Sequence, residues 1–71
     1  MLREPIESSV VASMGYEAKQ HILEIEFRSG DIYTYFEVPE EEYIAFRSAE
    51  SKGTYLNSVF KSRGYRYLQI K

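Results

Sequence analysis

The sequence predicts an α+β domain: a three-stranded antiparallel β-meander, then two helices packed on one face, with the tail free to add a short C-terminal edge strand. Three observations carry that prediction. Between His21 and Arg28, Leu23, Ile25 and Phe27 alternate with Ile22, Glu24, Glu26 and Arg28, the two-residue period of a strand. Ser29-Gly30 then turns the chain into Asp31-Ile32-Tyr33-Thr34-Tyr35-Phe36-Glu37-Val38, with glycine supplying the positive φ that tight turns need. Lastly, Pro39-Glu40-Glu41-Glu42 joins a residue pre-set for the first helical turn to negative charge where a helix start is electropositive.

Residues 1–7 contain Pro5 and no periodicity, which predicts a flexible N-terminal arm, so the domain proper is residues 8–71. Val10 to Tyr16 is the first strand. In a regular strand Val10, Ala12, Met14 and Tyr16 share one face; a bulge, for which Gly15 is suited, would let Val11 join Met14 and Tyr16 instead. Glu17-Ala18-Lys19-Gln20 makes the turn. In the strand after Gly30 both faces are apolar. We assign Tyr33 and Tyr35 inward, beside Leu23, Ile25 and Phe27, with their hydroxyls at the rim. That leaves Ile32, Thr34, Phe36 and Val38 outward, with Ile32 and Phe36 as an interaction patch or a seat for the tail. In the first helix Tyr43, Phe46 and Ala49 form a stripe at i, i+3 and i+6. Gly53 ends it or lies in the first turn of the next helix, which Ser51 or Thr54 can cap and whose apolar positions are Tyr55, Leu56, Val59 and Phe60. Gly64 terminates that second helix, and the tail from Tyr65 alternates again.

At 71 residues the chain is one domain with a thin core. It has no Cys and one His, so neither a disulfide nor a His-Cys metal site can supplement that core. Seven Tyr and four Phe are the compensation, since each aromatic buries about 150–250 Å². No apolar run approaches the roughly 18 residues that span a bilayer, and the absence of Cys suits a reducing compartment, so a cytoplasmic domain is expected with no membrane role. Charge is lopsided: residues 1–46 hold three basic and ten acidic side chains, residues 47–71 six basic and Glu50 alone. Such asymmetry marks either polyanion contact or a fold whose halves face each other. The lack of any block of consecutive cations favours the second.

Catalysis finds little support. His21, the one candidate base, has no nucleophile motif near it, and strand neighbours three apart point to opposite faces, so His21 with Glu24 makes no metal site. Glu40, Glu41 and Glu42 read as helix-start charge. No cofactor, metal or enzymatic activity is expected. The segment from Lys52 to Tyr67 holds more: Lys52, Thr54 and Asn57 at a helix start suit a phosphate. Lys61, Arg63 and Arg66 interleaved with Tyr65 and Tyr67 resemble the mix of cations and rings used on RNA.

The set Ser8-Ser9, Gly15-Tyr16, Leu23-x-Ile25-x-Phe27, Gly30, Tyr33-x-Tyr35, Val38-Pro39, Tyr43, Ala49-x-Ser51-x-Gly53-x-Tyr55-x-Asn57 and Tyr65 resembles the KTSC domain, over about residues 8 to 67. That family is named for the C-terminal extension of some bacterial lysyl-tRNA synthetases and also occurs as small single-domain proteins. Leu56 departs from it, standing where an aromatic residue is expected. Tyr33, Tyr35 and Tyr55 belong to its motif and read as core. Attachment of the family to a synthetase suggests RNA binding; joined to the residues above, the leading reading is a non-enzymatic binding module for structured RNA such as tRNA, through Lys52, Thr54, Asn57, Lys61, Arg63, Tyr65, Arg66 and Tyr67. The alternatives are a protein-interaction or self-association module using Ile32 and Phe36, and a structural add-on without a ligand. The sequence leaves the oligomeric state open.

Overall fold

Short connections between successive strands favour antiparallel pairing, and the computed structural model, which describes residues 2–71, follows that rule throughout. Its single sheet has five strands in chain order: β1 Glu4–Pro5, β2 Val11–Glu17, β3 Ile22–Phe27, β4 Ile32–Tyr35 and β5 Tyr67–Gln69. The helical layer, inserted between β4 and β5, starts with α1 Glu40–Ser48. Next comes α2, Lys52–Tyr55, which runs directly into a π-helical turn, Leu56–Phe60, and a 3-10 turn, Lys61–Arg63. No described helix is long and apolar enough to cross a membrane.

The three predicted strands and two helices are present, but the sheet gains a strand at each edge. The tail becomes β5, with Tyr35 opposite Tyr67 and Tyr33 opposite Gln69. Residues 4–6, expected within the arm, become β1 plus a core residue: Glu4 pairs with Met14, Pro5 with Ser13, and Ile6 is buried. Met1 lies outside the described residues. Two polar anchors hold the arm. The Arg28 guanidinium donates to the carbonyls of Ile6 (2.9 Å) and Ser8 (3.0 Å). On the outer face Arg3 Nε donates to Ser13 Oγ at 3.0 Å, and its terminal nitrogen pairs with Glu24. A proline at an edge strand costs no ladder bond when its nitrogen faces away from the partner.

Register decides the core. A bulge between Val11 and Ser13 sits at Ala12, not Gly15, and turns Val11 to the same face as Met14 and Tyr16; Ala12 drops out of that set. Tyr33 and Tyr35 lie opposite Ile25 and Leu23, on the inner face as assigned. Val38 reverses expectation: it is fully buried, because Glu37 adopts a left-handed backbone (φ 56°) that breaks the strand alternation. Its N–H donates to the carbonyl of His21, itself at φ 56°. Ile32 sits opposite Glu26, yet is buried beside the tail, whose Ile70 N–H donates to its carbonyl at 2.8 Å. Of the two outer-face uses weighed for it, the seat for the tail is the one this arrangement favours. The core proper is Val11, Met14, Leu23 and Ile25 from the sheet against Phe46, Leu56 and Phe60 from the helices. Tyr16 stacks on Tyr43 at 4.9 Å, which fastens α1 to β2.

Candidate nucleic-acid interface

On the β3–β5 side the helical layer leaves Phe27, Tyr33 and Tyr67 partly or largely exposed. There a groove of about 950 Å³ remains. The sheet lines it with Phe27, Tyr33, Tyr35 and Tyr67, the helical segment with Leu56, Asn57, Phe60 and Lys61, and the approach to β2 and the β3–β4 turn with Val10 and Arg28. The rings form a connected array. Phe27 meets Tyr33 edge-on at 5.6 Å, and Tyr33 lies 5.4 Å from Tyr67. Deeper in, Tyr35 meets Phe60 edge-on at 4.9 Å. Burial, with the neighbouring Tyr33 and Tyr67 hydroxyls, pushes the Tyr35 phenol up to about 12. It stays neutral and adds no negative charge to the groove.

Behind the Tyr65 wall is a polar cluster centred on Glu42. Its carboxylate is 6% exposed. One oxygen accepts from Arg63 Nε at 2.8 Å and the Tyr65 hydroxyl at 3.0 Å, and the other from the Tyr55 hydroxyl. Burial by itself would push this carboxyl up, but the bonds from Tyr55, Tyr65 and Arg63 and the guanidinium charge outweigh it, and the net shift is downward. The same contact raises the Tyr65 phenol to about 12, through burial first and the Glu42 bond second. Sequence analysis treated Glu42 as helix-start charge; its spacing of four from Phe46 was the available signal that it shares the buried face. Phe27 and Arg28 on the groove were also missed, because the helical wall they face lies about thirty residues further along the chain.

The predicted RNA-contacting residues divide. Asn57, Lys61, Tyr65 and Tyr67 line the groove, and Lys52, Thr54, Arg63 and Arg66 do not. Lys52 Nζ donates to the Ala49 carbonyl, closing the end of α1. The Thr54 N–H donates to Ser51 Oγ at 3.2 Å, so Ser51 is the cap and Thr54 the residue capped. Arg63 serves Glu42, and Arg66 lies 5.4 Å over the Phe36 ring and 3.7 Å from the Glu37 carboxylate. Among the described residues Lys61 has no ion pair. Of the motif tyrosines, Tyr35 is buried, Tyr33 half-buried at the groove, and Tyr55 half-buried against Phe46 at 5.1 Å. Among the described residues no group of His, Cys, Asp and Glu could hold a metal ion. The exposed His21 lies in the turn before β3.

A five-stranded antiparallel sheet with a broken helical layer and an aromatic groove beside it defines a small α+β domain. The KTSC domain model matches residues 7–68, and the chain belongs to that family. An uncharacterized protein of Stutzerimonas stutzeri is 46% identical over 70 residues, covering 99% of both chains. A lysine–tRNA ligase of Nostoc punctiforme is 40% identical over 64 residues, which are 90% of this chain and 11% of the ligase. The crystal structure of a KTSC domain protein from Yersinia pestis superposes with a TM-score of 0.91 at 37% identity, covering 99% of this chain and 97% of that one.

Proposed function

We propose that the domain is a non-enzymatic cytoplasmic module that binds structured RNA such as tRNA along the aromatic groove. One observation supports this above the rest: the groove is where negative charge is scarce. Eleven acidic side chains are spread over the molecule, and only Asp31 lines the groove, against Lys61 and Arg28. The ligase relative supplies the RNA class. With two groove cations and a net charge of −2, affinity is weak, on the order of 10⁻⁴–10⁻⁶ M at moderate salt.

The test is an amide chemical-shift titration with bulk tRNA at low and then moderate salt. Shifts should concentrate at Asn57, Lys61 and Tyr65 to Tyr67 and shrink as salt rises, and an unshifted spectrum at low salt would sink the reading. Lys61→Glu should abolish the shifts while leaving the fold intact. Reversal of Arg63 would not be an equivalent test, since it strikes Glu42.

The protein-interaction reading keeps one observation. Leu68 and Ile70, beside Ile32 on the outer edge, are more than half exposed. Sedimentation across a concentration series tests self-association there, and a monomer throughout counts against it.

A further inference from the structure

We propose that the groove accepts unpaired nucleotides, with a base stacked on Tyr67 and its phosphate beside Lys61, and that it rejects fully paired duplex. This inference rests on the RNA reading and narrows it. Its basis is the ring array and not the charge. Phe27, Tyr33 and Tyr67 come from three adjacent strands and sit 5.4–5.6 Å apart in sequence of contact. All three keep solvent exposure, and Tyr67 is 61% exposed on a three-residue edge strand.

A tyrosine that served only to pack would bury its ring. Tyr35, directly opposite Tyr67 on β4, does so, at 8% exposed. Tyr67 instead stands against Tyr33 and Tyr35 with the remainder of its surface open. Every nucleobase has an aromatic face that such a ring can stack on, whereas bases in a duplex have theirs covered by their neighbours. Lys61 and Asn57 on the helical side of the groove add a cation and an amide. The sole groove carboxylate, Asp31, is engaged by the Ser29 hydroxyl at 3.2 Å and the Gln69 amide at 3.4 Å. An anionic, flat and unpaired ligand fits this set.

The experiment measures fluorescence anisotropy of two labelled RNAs, an oligouridylate of about 12 nucleotides and a blunt duplex of equal length, against the full chain at low salt. Wild type is compared with Tyr67→Ala, Tyr67→Phe and Lys61→Gln. The single strand should bind at least roughly tenfold tighter than the duplex, lose roughly tenfold with Tyr67→Ala and be restored by Tyr67→Phe, since the ring and not the hydroxyl stacks. Duplex binding equal to single-strand binding overturns the inference. So does an unaffected Tyr67→Ala whose Lys61→Gln counterpart still weakens, and in both cases the RNA reading survives. Failure of both RNAs to bind overturns this inference, and an unshifted spectrum with tRNA at low salt removes the RNA reading with it. Equal displacement of the probe by an acidic aromatic peptide assigns the groove to protein ligands and overturns it as well.

Discussion

Glu42 stands in the first turn of α1, where a carboxylate ordinarily faces water and the helix dipole, yet it accepts from three donors in and just after the second helical segment. Those bonds tie α1 to the end of α2, the 3-10 turn and the groove wall at Tyr65. Removing it strands two half-buried hydroxyls, so Glu42→Ala should cost about 2–3 kcal/mol, a fall in Tm of roughly 10–15 °C for a domain this size. The pH dependence has a definite sign. The native carboxyl titrates below its ordinary value of 4.5, so its contribution is fully present above pH 4.5 and is lost as pH falls through the native value. The difference in Tm between wild type and Glu42→Gln, followed from pH 7 downward, should therefore be widest near neutrality and narrow below pH 4.5. A constant gap would mean that geometry, not ionisation, carries the contact.

At the scale of elements, the arm does more than the sequence suggests. Two strand residues cannot hold themselves in place; β1 persists through Ile6 in the core, Arg3 on the outer face and Arg28 holding the Ile6 and Ser8 carbonyls. Ile6→Ala should cost about 2 kcal/mol in urea unfolding, and deletion of residues 2–6 more. Gly15 gives an independent check. A Cβ there would come within 2.5 Å of the Leu2 carbonyl oxygen, so Gly15→Ala should push the arm from the sheet edge and speed hydrogen exchange of the Ile6 amide, which bonds the Ala12 carbonyl at 2.9 Å. The second helix ends where expected: Gly64 takes the left-handed conformation at φ 72°, the usual role of glycine after a helix. Its π-helical turn had no sequence signal, because Leu56 and Phe60 are four apart and face the core in an α-helix as well.

For the whole molecule, half of the six cations in residues 47–71 are spent on internal ion pairs. Three ion pairs, Arg47–Glu4, Arg63–Glu42 and Arg66–Glu37, each join a cation of the basic C-terminal third to a carboxylate of the acidic part. Of the predicted RNA-contacting cations, Lys61 alone lines the groove. Each phosphate neutralised on a single strand adds about −0.7 to the slope of log affinity against log salt. Replacing Lys61 with Gln should therefore make that slope shallower by about 0.7 in a salt series with tRNA. A slope that does not change moves the contact to other cations.

Local signals were enough for the element types and their order. Alternation over 21–28, the Gly30 turn, the Pro39 helix start and the Gly64 stop act over a few residues, and short connections then allow few ways to pair the strands. The face of Tyr33 and Tyr35 was a choice between two apolar sides that pattern leaves open, and pairing opposite Ile25 and Leu23 settled it inward. Tertiary structure decided everything that depends on residues far apart in the chain. It made an edge strand of a proline-bearing arm, turned Val38 inward through left-handed Glu37, and gathered Tyr55, Arg63 and Tyr65 around Glu42. Of the predicted RNA-contacting cations, it engaged Lys52, Arg63 and Arg66 with internal partners and left Lys61 on the groove. Backbone periodicity is a local property, whereas burial of a charge or exposure of a ring is set by which distant groups arrive beside it.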